Sequence, residues 1–156
     1  MHLASPTKTP FFSLVIPTKN RATLLRHALE SLREQTFSEF EIIVADNDDT
    51  DATAQVIREF PDCRLMHVRT GNLSMPDNWE AGFVRASGEY ICMLEDKQAL
   101  KRRSLERLFK AVEAHKPLVV KWQYDAFDDS DTPFRLRLAK GTSAEPRIIS
   151  SDELLN

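Results

Sequence analysis

The sequence predicts an α/β fold, a mostly parallel sheet flanked by helices on both faces. Three features lead there. Short apolar runs alternate with helix-periodic segments along most of the chain. The runs are nearly continuous rather than alternating apolar and polar, as expected of strands buried on both faces. Polar residues collect directly after the runs, at the carboxyl ends of strands, where open parallel sheets bind ligands.

The first strand is expected over Phe12 to Pro17, followed by Thr18-Lys19-Asn20 and a helix with apolar positions Leu24, Leu25, Ala28 and Leu32. Phe40 to Ala45 is the second strand. Asp46 to Asp51 breaks it, and Ala52, Val56, Ile57 and Phe60 form the next helical stripe. Arg64 to Val68 reads as strand three, Pro76 to Ala86 as a helix with Trp79 and Phe83 on one face, and Tyr90 to Leu94 as strand four. A helix from about Arg102 to His115 leads to a fifth strand, Leu118 to Trp122. Beyond it, Asp125 to Pro133 is acidic and turn-rich, and Phe134 to Leu138 resembles an exposed strand. Ser151-Asp152-Glu153-Leu154 reads as the start of a helix the chain does not complete, so the sequence reads as a fragment of a longer protein.

Composition narrows the function classes. The chain has 156 residues, enough for one domain over residues 1–156 with its own apolar core. It is 42% hydrophobic and 29% charged, and it lacks any stretch near the ~20 apolar residues of a membrane span, so no transmembrane segment is expected. The first ten residues do not resemble a secretory signal, which favours the cytoplasm. The net charge of −3 argues against a nucleic-acid partner. Lys101, Arg102, Arg103, Arg107 and Lys110 gather at the front of a helix, either as a solvated face or as a contact for phosphates or lipid headgroups, the latter placing the protein at the inner face of the membrane. Cys63 and Cys92 lack framework or metal-ligand spacing and are expected to face the core. Trp79 and Trp122 are read as core packing before ligand stacking, and His27, His67 and His115 show no metal-ligand grouping.

Three loops carry the chemistry. Pro17-Thr18-Lys19-Asn20-Arg21 enters a helix whose exposed amides favour an anion, with Arg21 placed to meet a phosphate. The alternative is that Thr18 or Asn20 simply caps the helix. Asp46-Asn47-Asp48-Asp49-Thr50-Asp51 concentrates four carboxylates in six residues. An Asp at a strand end can accept a hydrogen bond from a nucleobase imino group, which suits Asp46, while Thr50 or Asp51 caps the following helix. A calcium loop is excluded because the required Gly and terminal Glu are missing. Leu94-Glu95-Asp96-Lys97-Gln98 again puts carboxylates at a strand end, where they could hold a divalent ion against a diphosphate. A dinucleotide-dependent oxidoreductase or a nucleotidyltransferase would need a Gly-rich loop after strand one, and none is present.

Read in order, Phe12-Ser13-Leu14-Val15-Ile16-Pro17-Thr18-Lys19-Asn20-Arg21, Gln35-Thr36-Phe37, Glu41-Ile42-Ile43-Val44-Ala45-Asp46-Asn47 with Thr50-Asp51, then Asn78, Gly82 and Ala86-Ser87-Gly88-Glu89-Tyr90-Ile91 leading to Leu94-Glu95-Asp96, strongly resemble the family 2 glycosyltransferases. The resemblance covers roughly residues 12–124. It implies the Rossmann-like GT-A fold of nucleotide-diphospho-sugar transferases and an inverting transfer of sugar, usually from a UDP donor, to a glycan, lipid-linked or protein acceptor. By the same resemblance Pro17, Thr18, Asn20 and Arg21 form a nucleotide pocket, Asp46 recognises the base, Asn78 lies near the sugar diphosphate, and Asp96 is the first Asp of a DxD-like motif. The family uses Mg²⁺ or Mn²⁺ at the neighbouring acidic position.

That position is Lys97, a departure from the pattern. Either the Lys97 ammonium stands where the ion would sit, or Lys97 points to solvent and Glu95 with Asp96 still holds a metal. Asp48-Asp49 replaces the family's usual Gly-Ser, a change that Asp tolerates in turns and that makes the pocket more acidic. The family's catalytic base and acceptor-binding residues belong to a region this chain does not contain; Asp152 is the single late candidate for the base. The competing reading is a non-catalytic nucleotide or nucleotide-sugar binding module with a degenerate DxD motif.

Overall fold

A computed structural model describes residues 9–117, 119 and 120. The chain divides into two compact units, Met1–Leu108 and Phe109–Asn156. The sheet and the candidate site belong to the first. Four strands, β1 (Phe12–Thr18), β2 (Phe40–Asp46), β3 (Leu65–Arg69) and β4 (Tyr90–Met93), lie side by side in the order β3-β2-β1-β4, and every pairing is parallel. Helices α1 (Ala22–Arg33), α2 (Ala52–Arg58) and α3 (Met75–Phe83) make the crossovers, and α4 (Ser104–His115) follows β4. The α/β class and parallel sheet therefore stand as expected. Trp122, the strand expected at 134–138 and Asp152 lie outside the described residues; of the expected fifth strand, only Val119 and Val120 are described, and they are not in a strand.

The burial pattern follows position in the sheet. In the central strands β1 and β2, Leu14, Val15, Ile16, Ile42, Ile43, Val44 and Ala45 are all buried, because helices cover both faces. β3 is an edge strand, and its Met66 and His67 are exposed. Leu25, Ala28, Leu29 and Leu32 form the buried stripe of α1, at the spacing of one helix face.

The expected face of α3 is not the one observed. Its buried residues are Asn78 and Gly82, one turn apart, while Trp79 and Phe83 are half-buried. The reason is close approach. A Cβ at Gly82 would stand 2.5 Å from Val15 Cγ1 and 3.4 Å from Ala45 Cβ, so only glycine lets the helix lie this near β1 and β2. Gly88 has the same role below the sheet. Its Cβ would fall 2.7 Å from the Ser13 backbone nitrogen, and its amide donates to Ser13 Oγ (2.8 Å). Ser13 Oγ in turn donates to Glu41 Oε1 (2.6 Å), which also accepts the Ser87 amide (2.7 Å). Buried polar Ser13 is thus satisfied by the turn that introduces β4.

Gln35-Thr36-Phe37 ties α1 to the segment that opens α4. Gln35 Oε1 accepts the Leu105 amide (3.2 Å), an N-terminal α4 donor left unpaired by the helix itself, and the Thr36 amide donates to Arg102 O (3.1 Å). The Phe37 ring packs edge-on against Phe12 at 5.6 Å.

The cysteines divide. Cys92 is buried, but Cys63 is exposed, contrary to expectation. It stands in the turn before β3, where Asp62 accepts both the Arg64 amide and its guanidinium (each 2.9 Å), leaving the intervening side chain to solvent. Burial pushes the Cys92 thiol up to about 12, so it stays protonated and unreactive through neutral and mildly alkaline pH. A thiol reagent at pH 8 should therefore label one cysteine in the native protein and two in urea; two native labels would contradict the burial. For the helix contact, Gly82→Ala should lower unfolding stability in urea by about 1–3 kcal/mol through overpacking against Val15.

Candidate functional site

In the order β3-β2-β1-β4 the chain moves to one side of β1 and then returns to the other, so the strand order reverses between β1 and β4. A crevice is expected there, at the carboxyl ends of the strands. The structure puts Thr18, the last residue of β1, against Asp96, just beyond β4. Thr18 Oγ1 donates to Asp96 Oδ2 at 2.9 Å, and both side chains are buried. Asp96 Oδ1 lies 3.3 Å from Arg21 Nη1, whose side chain is 56% exposed. Thr18, Arg21 and Asp96, separate in sequence, are thus brought together.

Lys97 lies beside them. Its ammonium is 2.9 Å from Glu95 Oε2, and Glu95, chiefly through that hydrogen bond, holds it above the ordinary lysine value. The turn is closed by two bonds, Gln98 amide to Glu95 O (2.9 Å) and Glu95 amide to Gln98 Oε1 (3.1 Å). Both Asp96 oxygens and the Glu95 carboxylate therefore already have partners. Among the described residues no group of three His, Cys, Asp or Glu side chains could hold a metal ion. Glu95 and Asp96 do not make a divalent-metal donor set by themselves.

The second loop works differently from its sequence reading. Asp48 is buried, with one oxygen accepting the Asn20 amide and the other the Thr53 amide (3.2 Å). It therefore bonds the approach to α1 and the first turn of α2 together. Asp51, expected as a cap for α2, makes no capping bond and instead pairs with Arg69 Nη1 at 2.6 Å, while Thr50 Oγ1 accepts the Ala52 amide at 3.3 Å. Neither Thr18 nor Asn20 caps α1, whose cap position is Arg21 and has no side-chain cap bond. Asn20 takes the left-handed conformation (φ 55°), which Asn tolerates, and exchanges two bonds with Asp49: Nδ2 to Asp49 Oδ2 (2.8 Å) and Asp49 amide to Asn20 Oδ1 (3.1 Å). Pro17 is inside β1, opposite Ala45.

Asn78 is buried, and both ends of its amide are used. Nδ2 donates to Ala45 O (3.1 Å), and Oδ1 accepts from Thr70 Oγ1 (2.6 Å). It anchors α3 to the end of β2. Asp46 is also buried, with Oδ1 accepting the Asp48 amide (3.0 Å) and Oδ2 lying 2.7 Å from His67 Nε2. The contribution of His67 was not legible in the sequence, because it depends on the β2–β3 register that puts His67 opposite Val44 and Arg69 opposite Asp46.

Comparisons with known proteins agree with this arrangement. The Glycosyl transferase family 2 model matches residues 13–153. A Campylobacter jejuni GalNAc(5)-diNAcBac-PP-undecaprenol beta-1,3-glucosyltransferase is 32% identical over 105 residues, covering 65% of this chain and 34% of that protein. Glycosyltransferase GlyA of Streptococcus pneumoniae is 24% identical over 78% of this chain and 18% of its own length. The chain thus spans well under half of these curated relatives. Among solved structures, S. aureus TarS 1-349 in complex with UDP superposes with a TM-score of 0.62 at 22% identity, over 67% of this chain and 32% of that one. The mannosyltransferase PcManGT from Pyrobaculum calidifontis, in complex with GDP-Man and Mn2+, gives 0.58 at 26% identity, over 70% and 33%. The fold is that of the GT-A glycosyltransferases. No helix among the described residues is long and apolar enough to cross a membrane. By the extent of the family match and the order of its strand-end loops, the chain belongs to glycosyl transferase family 2.

Proposed function

We propose that this chain is the nucleotide-sugar-binding half of an inverting glycosyltransferase that takes its sugar from a nucleoside-diphosphate donor, with UDP as the nucleotide. The observation that carries the reading is the junction of Thr18, Arg21 and Asp96 across the strand-order reversal, with Lys97 beside it. In the reaction, an acceptor hydroxyl, deprotonated by a general base, bonds to the anomeric carbon as the bond from that carbon to the diphosphate oxygen breaks. The proton passes to the base, and the electron pair leaves with the diphosphate. Groups on this chain act on the leaving side. Arg21 and Lys97, both exposed and both held by carboxylates, can exchange those partners for phosphate oxygens and offset the negative charge that develops there.

On this reading Lys97 takes over the charge that a divalent ion supplies elsewhere in the family, and binding needs no metal. The name of the Campylobacter relative, a lipid-linked glycan transferase, supports a lipid-linked or other glycan acceptor at the inner face of the membrane. The second reading, a binding module without turnover, is favoured by the same Lys97. Turnover of a donor by the full-length protein separates the two.

Calorimetric titration with UDP and GDP, each in Mn²⁺ and in EDTA, tests the site. UDP should bind equally in both conditions, and Lys97→Ala should weaken it about tenfold. Binding that appears only with Mn²⁺ would refute the lysine role, and no binding of either nucleotide by the folded chain would refute the donor site.

A further inference from the structure

Asp46 is the residue to which the family resemblance gives the nucleobase, yet its side chain is 0% exposed and both oxygens are engaged. The side chain that covers Oδ2, His67, is 28% exposed. A ligand approaching this end of the sheet from solvent therefore meets the imidazole before the carboxylate. On the reading that the site binds a nucleoside diphosphate, we propose that His67 is the side chain that reads the base, with Asp46 behind it as the positioning residue.

The chemistry follows from the 2.7 Å contact. A carboxylate facing Nε2 holds the ring proton there, so that Nε2 donates to Asp46 Oδ2. The neutral ring then presents Nδ1 as an acceptor, and Nδ1 makes no hydrogen bond among the described residues. An acceptor matches a base with an imino N–H, uracil at N3 or guanine at N1. It opposes cytosine and adenine, whose corresponding ring nitrogens are themselves acceptors. Arg69, two residues further along β3, is bonded to Asp51 (2.6 Å) and to Thr50 O (3.0 Å), which fixes the loop flanking the imidazole. The site is accordingly selective for UDP and GDP over CDP and ADP, through a dyad whose outer member is His67.

Titration of the 156-residue chain with UDP and CDP at pH 8 tests this, in wild type and in His67→Phe, which keeps a ring but removes the acceptor. Wild type should bind UDP about tenfold more tightly than CDP, and His67→Phe should bring the two within about twofold by weakening UDP. A His67→Phe variant that folds and keeps the UDP preference overturns the role of His67 while leaving the nucleotide site standing. Wild type that binds neither nucleotide overturns the nucleotide reading and this inference with it. Because the variant leaves a buried carboxylate with one partner fewer, ¹⁵N NMR of the wild-type imidazole provides a readout independent of its folding. The ring should carry its proton on Nε2, and UDP but not CDP should shift the Nδ1 resonance. A proton on Nδ1 before nucleotide is added, or an Nδ1 resonance that UDP does not move, overturns the proposal.

Discussion

The candidate site depends on the bond pattern of the buried Asp48 carboxylate. One oxygen receives the amide of Asn20 and the other the amide of Thr53, so a single side chain links the loop after β1 to the start of α2. Amides near the start of a helix lack intrahelical acceptors and are natural anion sites. Here an internal anion fills part of that demand. Asn20 reinforces the link through its paired bonds to Asp49, and it accepts a left-handed backbone to do so. The two loops that precede α1 and α2 therefore behave as one surface, and Thr18, Arg21 and Asp46 hold their places because of it.

Much of what makes the chain recognisable is packing rather than chemistry. Gly82 lets α3 approach β1 and β2, and that approach brings Asn78 within bonding distance of Ala45 O. Gly88 and Ser87 dock beneath the sheet on Ser13 and Glu41. Gln35 supplies an acceptor at the start of α4. These residues satisfy buried polar groups or permit a close contact, and so they persist as motifs without touching a ligand.

Charge at the end of β4 is arranged differently. Arg21 with Asp96 and Lys97 with Glu95 are pairs in which the cation is more than half exposed. Such pairs contribute little to stability, on the order of 0–1 kcal/mol each, because water screens them. Their cations can therefore be redirected to a diphosphate at small loss. Asp96 itself is buried and retains Thr18 as a partner when Arg21 turns away.

The sequence by itself determined the α/β class, the strand and helix order through α4, and the three loops that meet at the strand ends, because apolar periodicity and turn residues are local signals. It also singled out Thr18, Arg21, Asp96 and Lys97. Only the tertiary structure decided which groups those residues face. Asp48 proved to be a link between loops, Asp51 turned to Arg69 instead of capping α2, Cys63 reached solvent, and α3 buried Asn78 and Gly82 rather than Trp79 and Phe83. His67 gained its place beside Asp46 in the same way. Each of these outcomes depends on the register of a neighbouring strand or on how closely a helix can approach the sheet, and both are settled by contacts between residues far apart in the chain.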